Sequence, residues 1–421
     1  MRYQPLNLGR WMLWGATAVF LALLPQWFTQ SFALTLMSQM CTFIIFALSY
    51  NMLLGQSGML SFGHAVYSGL GAYFAIHALN LIARGQIALP VSLLPLVGGF
   101  AGVLFGLLFG YVTTRRAGTT FAMISLGLGE MVFSCSLMFP GFFGGEAGIT
   151  SNRVVGRPVL GITYGPQVQV YYLIAAWTFV CMAAMFALTR TPLGRIANAV
   201  RDNPERAEFI GYDTQTVRFL TLVLASFFAG VSGGLSAINF EIVTAENVGA
   251  VRSGGVLLAT FIGGTGFFFG PIIGGVIFVF FVVALSSYTG AWLLYLGLFF
   301  VIMVMVAPGG LASILAMNLR MARFGQLRRL LPGYGAALGA GLPALLGFVG
   351  LVEMIYRLSG DEGTGAEMKL HGIAVDVHAL TPWLACAALL LSGGFFCRLA
   401  WRRVRREWDD GERIIAEKIA A

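Results

Sequence analysis

Side chains able to do chemistry are few in this chain, and one compact group of charged ones stands between two apolar runs. Between Thr191 and Tyr212 the sequence TPLGRIANAVRDNPERAEFIGY carries Arg195, Arg201, Arg206, Asp202, Glu205 and Glu208. Such a mixed-charge island is either a solvated loop with a helical turn or a docking point for a soluble partner. Elsewhere Glu130, in SLGLGEMVF, is the one acidic residue deep inside an apolar run. An ionisable group at membrane depth is costly and points to function by default. Glu130 can contact an ammonium group, bind a proton, or act as a hydrogen-bonded structural carboxyl. His64, in SFGHAVYSG, is open to a gating or substrate role and to plain packing. Asn51 and Gln56, with Ser57 and Ser61, surround a glycine-rich break, NMLLGQSGMLSFGH. That break is either an ordinary turn or a broken helix whose free backbone groups line a polar path. Neither a catalytic nor a metal-binding set is expected, because His, Asp and Glu do not cluster in the apolar runs and the five cysteines lack C-x-x-C spacing. The glycines of GGTGFFFGP do not make a phosphate loop, which needs a lysine, and no lysine lies between residues 1 and 368. They read as a tight turn, with Pro271 opening the next helix.

The elements that position these residues follow from composition. The chain has 421 residues, 58% hydrophobic and only 10% charged, against about 25% charged in soluble domains. It is therefore expected to be an integral membrane protein in contact with a lipid bilayer. Apolar runs of about 20 residues fall at 11–25, 33–54, 57–79, 90–113, 119–139, 169–189, 217–239, 251–266, 269–287, 290–308, 336–357 and 379–399, the first and eighth being short. The expected fold is an all-α polytopic helical bundle of about 10 core spans plus two C-terminal spans. Alternating the loops between two faces places most of the arginines on one of them, which puts both termini in the cytoplasm. The net charge of +8 is explained by that bias and implies no nucleic acid. The organisation expected is a transmembrane domain at 1–315 with the island loop at 190–215, a basic cytoplasmic linker at 316–335, and a two-span extension with a basic tail at 336–421. Residues 1–25 lack a small-residue cleavage pattern and read as a retained span. Gly98, Gly102, Gly106 and Gly110 recur every fourth residue, as do Ser226, Gly230 and Gly234, so each set lies on one helix face and admits a close neighbour.

The island has folding signals of its own. Asp202 or Asn203 can cap a helix, Pro204 suits its first position, Glu205 lies where the dipole favours a negative charge, and Gly211 suits the C-terminal stop. The result is a helix of about two turns, with Ala207 and Ile210 on one face. The segments NMLLGQSGMLSFGHAVYSGLGAY, TTFAMISLGLGEMVF, GRIANAVRDNPERAEFIGY, GGTGFFFGPIIGG and APGGLASIL resemble, in order, the longer permease type of branched-chain amino-acid ABC importers. The resemblance covers roughly residues 33–315. It implies that Gly194, Arg195, Arg201, Glu205, Ala207 and Gly211, with Asp202 among them, couple to a separate ATPase. It also implies a second homologous permease subunit, two ATPase subunits that bind ATP and Mg, a periplasmic solute-binding protein, and the bacterial inner membrane. No cofactor is expected in the chain itself. The family includes permeases for urea and short amides, which is one alternative; a stand-alone secondary transporter is another. His64, Glu130, Asn51 and Gln56 are the candidates for the substrate path.

Overall fold

Only helices and closed barrels satisfy every backbone group within a bilayer, and helices are what these apolar runs form. The computed structural model describes residues 8–155, 161–359, 367–370 and 373–420. Arg157, Asp361 and Glu362 lie outside the described residues. The helices are α1 (Leu8–Trp27), α2 (Ser31–Asn51), α3 (Ala65–Ala83), α4 (Leu94–Thr113), α5 (Thr119–Met138), α6 (Pro140–Phe143), α7 (Gln167–Arg190), α8 (Pro192–Asp202), α9 (Pro204–Phe209), α10 (Thr214–Phe240), α11 (Ala250–Gly263), α12 (Gly270–Val279), α13 (Trp292–Val306), α14 (Gly310–Arg323), α15 (Leu327–Ser359) and α16 (Leu380–Ala420). Two short antiparallel pairs complete the fold: β1 (Ile149–Thr150) with β2 (Ile242–Val243), and β3 (Glu367–Leu370) with β4 (Ile373–Asp376). The chain is a polytopic helical membrane protein.

Nine helical segments among the described residues are long and apolar enough to cross a membrane. α13 and α14 meet at 49° and count together as a tenth. Each of the twelve apolar runs falls on a helix, and the two shortest fall on the shorter apolar helices, Trp11–Trp27 and Ala250–Gly263. The run at 57–79 is helical only from Ala65. Before it, α2 widens into a π-turn at Met52–Gln56, and residues 58–64 follow an irregular course in which Met59, Ser61 and His64 are buried.

The described chain divides into two compact units, Met1–Ala284 with Phe299–Ala312, and Leu285–Leu298 with Ser313–Ala421. In the first, α10 is the central helix and packs on α2, α3 and α4. Bare backbone makes this possible. A Cβ at Gly102 would lie 2.1 Å from the Ser226 carbonyl oxygen, one at Gly230 2.1 Å from that of Gly98, and one at Gly233 1.8 Å from that of Ser68. The GGTGFFFGP segment is a tight turn from α11 to α12. Gly264 takes φ +106°, and a Cβ on Gly270 would meet its carbonyl oxygen at 1.9 Å.

In the second unit α15 and α16 run antiparallel in close contact. A Cβ at Gly347 would meet the Cys386 carbonyl oxygen at 2.5 Å, and one at Gly393 the Ala344 nitrogen at 2.5 Å. Glu353, on α15, accepts hydrogen bonds from Thr289 Oγ1 at 2.6 Å and Tyr295 Oη at 2.9 Å. Met321, Leu330, Val404 and Ile415 form a small apolar core at the other end of the helix pair.

Candidate functional site: the charged island and the interrupted span

The island is two helices joined by a corner. Thr191 caps α8, its hydroxyl oxygen accepting from the Gly194 amide at 3.4 Å, and Pro192 takes the first helical turn. Gly194 is required by proximity, since a Cβ there would lie 2.4 Å from the Leu188 carbonyl oxygen. α8 thus folds back on the end of α7. Its apolar face buries Ala197 and Val200 against Ala207 of α9 and Val217 of α10. Arg195 is on the opposite, exposed face. Within the loop at 190–215, the capping signals read from sequence predict a helix only after Asp202 or Asn203. The signal for α8 was present as Thr-Pro, the same cap-then-proline start that Asn203-Pro204 repeats.

Of the two capping candidates for α9, Asn203 does the work: its Oδ1 accepts from the Arg206 amide at 2.9 Å. Asp202 instead pairs with Arg201 at 2.9 Å. Glu205 lies exposed in the first turn of α9. The helix stops in a paired bonding pattern, with the Gly211 amide donating to Glu208 O at 2.9 Å and the Tyr212 amide to Ala207 O at 3.0 Å. Gly211 has φ +92°, a conformation that favours glycine. Ala207 and Ile210 do not share a face. Ala207 is buried, whereas Ile210 is 71% and Phe209 89% exposed. The reason is the stop itself: Ile210 has already left helical geometry, with φ −91° and ψ 11°, and is carried outward. Asp213 then caps α10. The Thr216 hydroxyl, and the amides of Gln215 and Thr216, donate to its carboxylate and hold it below the usual carboxylate range.

Arg201 ties the island to the interrupted span. Its Nη1 donates to the carbonyl oxygen of Gly55, inside the π-turn. Its aliphatic stem covers Gly58, whose φ is +69° and where a Cβ would fall 2.8 Å from Arg201 Cγ. Asn51 is buried beside the same turn, its Oδ1 lying over Gly55 without a hydrogen-bond partner. Gln56 lines a small cavity with Met52, Leu188, Thr191 and Gly194. The structure therefore brings Arg201, Asn51 and Gln56 together, though they were singled out for different reasons.

His64 and Glu130 stand apart from that group. His64 is fully buried, stacked on Phe46 with ring centroids 5.5 Å apart, and its Nε2 lies 3.0 Å from Ser49 Oγ. Ser49 Oγ donates its only proton to Phe46 O at 2.7 Å, so His64 Nε2 carries the hydrogen and donates, and Nδ1 is left bare. Glu130 lies on the exposed side of α5, whose buried side, with Ser125, Gly129 and Val132, faces the bundle. Ser125 Oγ accepts from the Phe62 amide at 3.0 Å, which fixes α5 against the irregular segment.

A protein family described as branched-chain amino acid transport system / permease component matches residues 32–308, a span that holds both the island and the interrupted helix. The high-affinity branched-chain amino acid transport system permease protein LivM of Escherichia coli is 25% identical over 304 residues, covering 66% of this chain and 69% of that protein. The permease protein LivH, named for the same transport system in the same organism, is 24% identical over 258 residues, covering 56% of this chain and 79% of its own length. The fructose import permease protein FrcC of Rhizobium meliloti is 25% identical over 231 residues, 48% of this chain and 59% of that protein. No solved structure matches the chain.

Proposed function

The chain belongs to the family of branched-chain amino acid transport permease components, and from that premise we propose that it is the membrane-spanning permease subunit of an ATP-driven importer for branched-chain or related amino acids in a bacterial inner membrane. Its partners are a second, homologous permease subunit, two ATPase subunits that bind ATP and Mg, and a periplasmic solute-binding protein. The two permease proteins named for one transport system, LivM and LivH, support the paired arrangement. The chain contains no G-x-x-x-x-G-K-[ST] sequence, so ATP is hydrolysed elsewhere.

The island carries this reading. Two capped helices on their own small core leave Phe209 and Ile210 exposed, and the same two helices expose Arg195, Glu205, Arg206 and Glu208. An apolar tip on a mixed-charge surface suits insertion into a groove on a protein partner. Arg201 then transmits displacement of the island to the π-turn through Gly55. Asn51, Gln56, His64 and Glu130 belong to the substrate path. Coupling of this kind works only if the partner contacts the island differently in two states. The test changes exposed side chains alone: Glu205→Arg with Phe209→Asp. Co-purified ATPase and uptake should both fall by about 10-fold or more, with the amount of inserted permease unchanged. Full co-purification and full uptake in that variant would refute docking at the island.

A further inference from the structure

Two helix interruptions lie beside α3 inside the first unit. One is the irregular segment 58–64 before α3. The other is 241–249, between α10 and α11, which contains a 3-10 turn at Ala245–Val248. Gly69 of α3 lets the second approach that helix closely, since a Cβ there would lie 2.6 Å from the Asn247 carbonyl oxygen and 2.3 Å from Val248 Cγ1. The Ala65 amide, at the start of α3, donates to Ser253 Oγ of α11 at 3.0 Å. Backbone broken at membrane depth is tolerated where it is buried in protein or lines a cavity, and paired breaks of this kind form binding sites in transporters.

Arg252 stands at this junction. Its guanidinium lies 5.8 Å from the centre of the Phe46 ring, which also stacks on His64. Nη1 donates to Asn247 Oδ1, and Nη2 to Ser236 Oγ at 3.4 Å. Both acceptors are neutral. Nε is buried and has no partner. Arg252 makes no ion pair among the described residues. A guanidinium held away from water without a counter-charge is expensive, and neutral acceptors offset only part of that cost. The side chain as a whole is half-buried.

We infer that Arg252 is an anion-recognising subsite of the transport path and takes the carboxylate of the transported amino acid. Asn247 and Ser236 fix the fork, and the planar guanidinium offers a carboxylate two parallel N–H donors, which a lysine cannot do. The inference rests on the importer reading above and adds which group of the substrate is held and by what.

The test uses the complete importer in proteoliposomes, with radiolabelled leucine and saturating leucine-loaded binding protein, comparing wild type, Arg252→Lys and Arg252→Gln. Maximal leucine import should fall by about 10- to 100-fold in Arg252→Gln, as for loss of a charge-assisted hydrogen bond. Arg252→Lys should recover part of it, and both variants should assemble in wild-type amounts. Wild-type import by Arg252→Gln overturns the subsite and leaves the importer reading intact. Failure of both variants to assemble also overturns it, since Arg252 then pairs with an acidic group of a partner subunit. A wild-type complex that imports no amino acid sinks the importer reading, and this subsite with it.

Discussion

Gly211 decides where the island ends. Its φ of +92° lets the Gly211 and Tyr212 amides turn back onto Glu208 and Ala207, and nothing crowds the position a Cβ would take. The cost of a side chain there is conformational alone, about 1–2 kcal/mol for a non-glycine residue in left-handed geometry. Gly211→Ala should therefore loosen the end of α9 by about that amount, and Gly211→Asn by less, because asparagine tolerates this region. Hydrogen exchange at the Tyr212 amide reads the effect, and unchanged protection in Gly211→Ala would dismiss it. This stop was legible in the sequence, as was the start at Asn203 and Pro204, because caps act through residues two to five positions away. The Arg201 bond to Gly55 was not legible. It joins residues 146 apart, and the island pattern says only that Arg201 is charged. Gly194 was singled out for coupling, whereas the structure gives it the separate task of admitting the Leu188 carbonyl.

At the scale of elements, the packing of α4 on α10 turns on side chains that are missing. Gly230 approaches both Gly98 O and Gly102 Cα, at 2.1 and 3.1 Å from its would-be Cβ. Gly230→Ala has no flexible neighbour to push aside and must separate the helices, costing about 1–3 kcal/mol as overpacking does. Gly15→Ala on α1, with nothing within 4 Å, is the matched control. Thermal unfolding of the detergent-solubilised subunit should show a lower Tm for Gly230→Ala than for Gly15→Ala; equal values would mean that the interface yields freely. The four-residue glycine spacing made this contact readable, since period alone places those residues on one face. The interruption at 52–64 was half readable. Gly55, Gly58 and Gly63 signalled a break, but periodicity does not say whether a break is exposed or buried, and here the packing of Met59 and His64 keeps it buried. The 241–249 segment was legible only as the gap between the runs at 217–239 and 251–266; that Val243, Ala245, Val248 and Gly249 are buried there depends on packing that no period reports.

At the scale of the whole molecule, the number of crossings is constrained by parity. If both termini are cytoplasmic, as the arginine distribution predicts, the number is even. The nine long helices and the bent pair give ten, so α1 and α11 either both cross or both stay on one side. α11 has 14 residues, about 21 Å of helix against an apolar thickness of about 30 Å. Residues 244–249 supply the missing depth, since Ala245, Val248 and Gly249 are buried before the helix begins. Charge then chooses between the two arrangements. If neither helix crosses, Arg115, Arg116 and the island arginines fall outside, against the positive-inside bias; if both cross, they fall inside with Arg320, Arg323 and the tail. We therefore expect both to cross. Single cysteines at Glu205, Arg413 and Arg84, all exposed, separate the cases in a cysteine-free background. In intact cells an impermeant maleimide should label Arg84→Cys at once, and should label Glu205→Cys and Arg413→Cys only after permeabilisation. Immediate labelling of Glu205→Cys with protection of Arg84→Cys would mean that α1 and α11 do not cross, and would put the island on the wrong face to meet an ATPase.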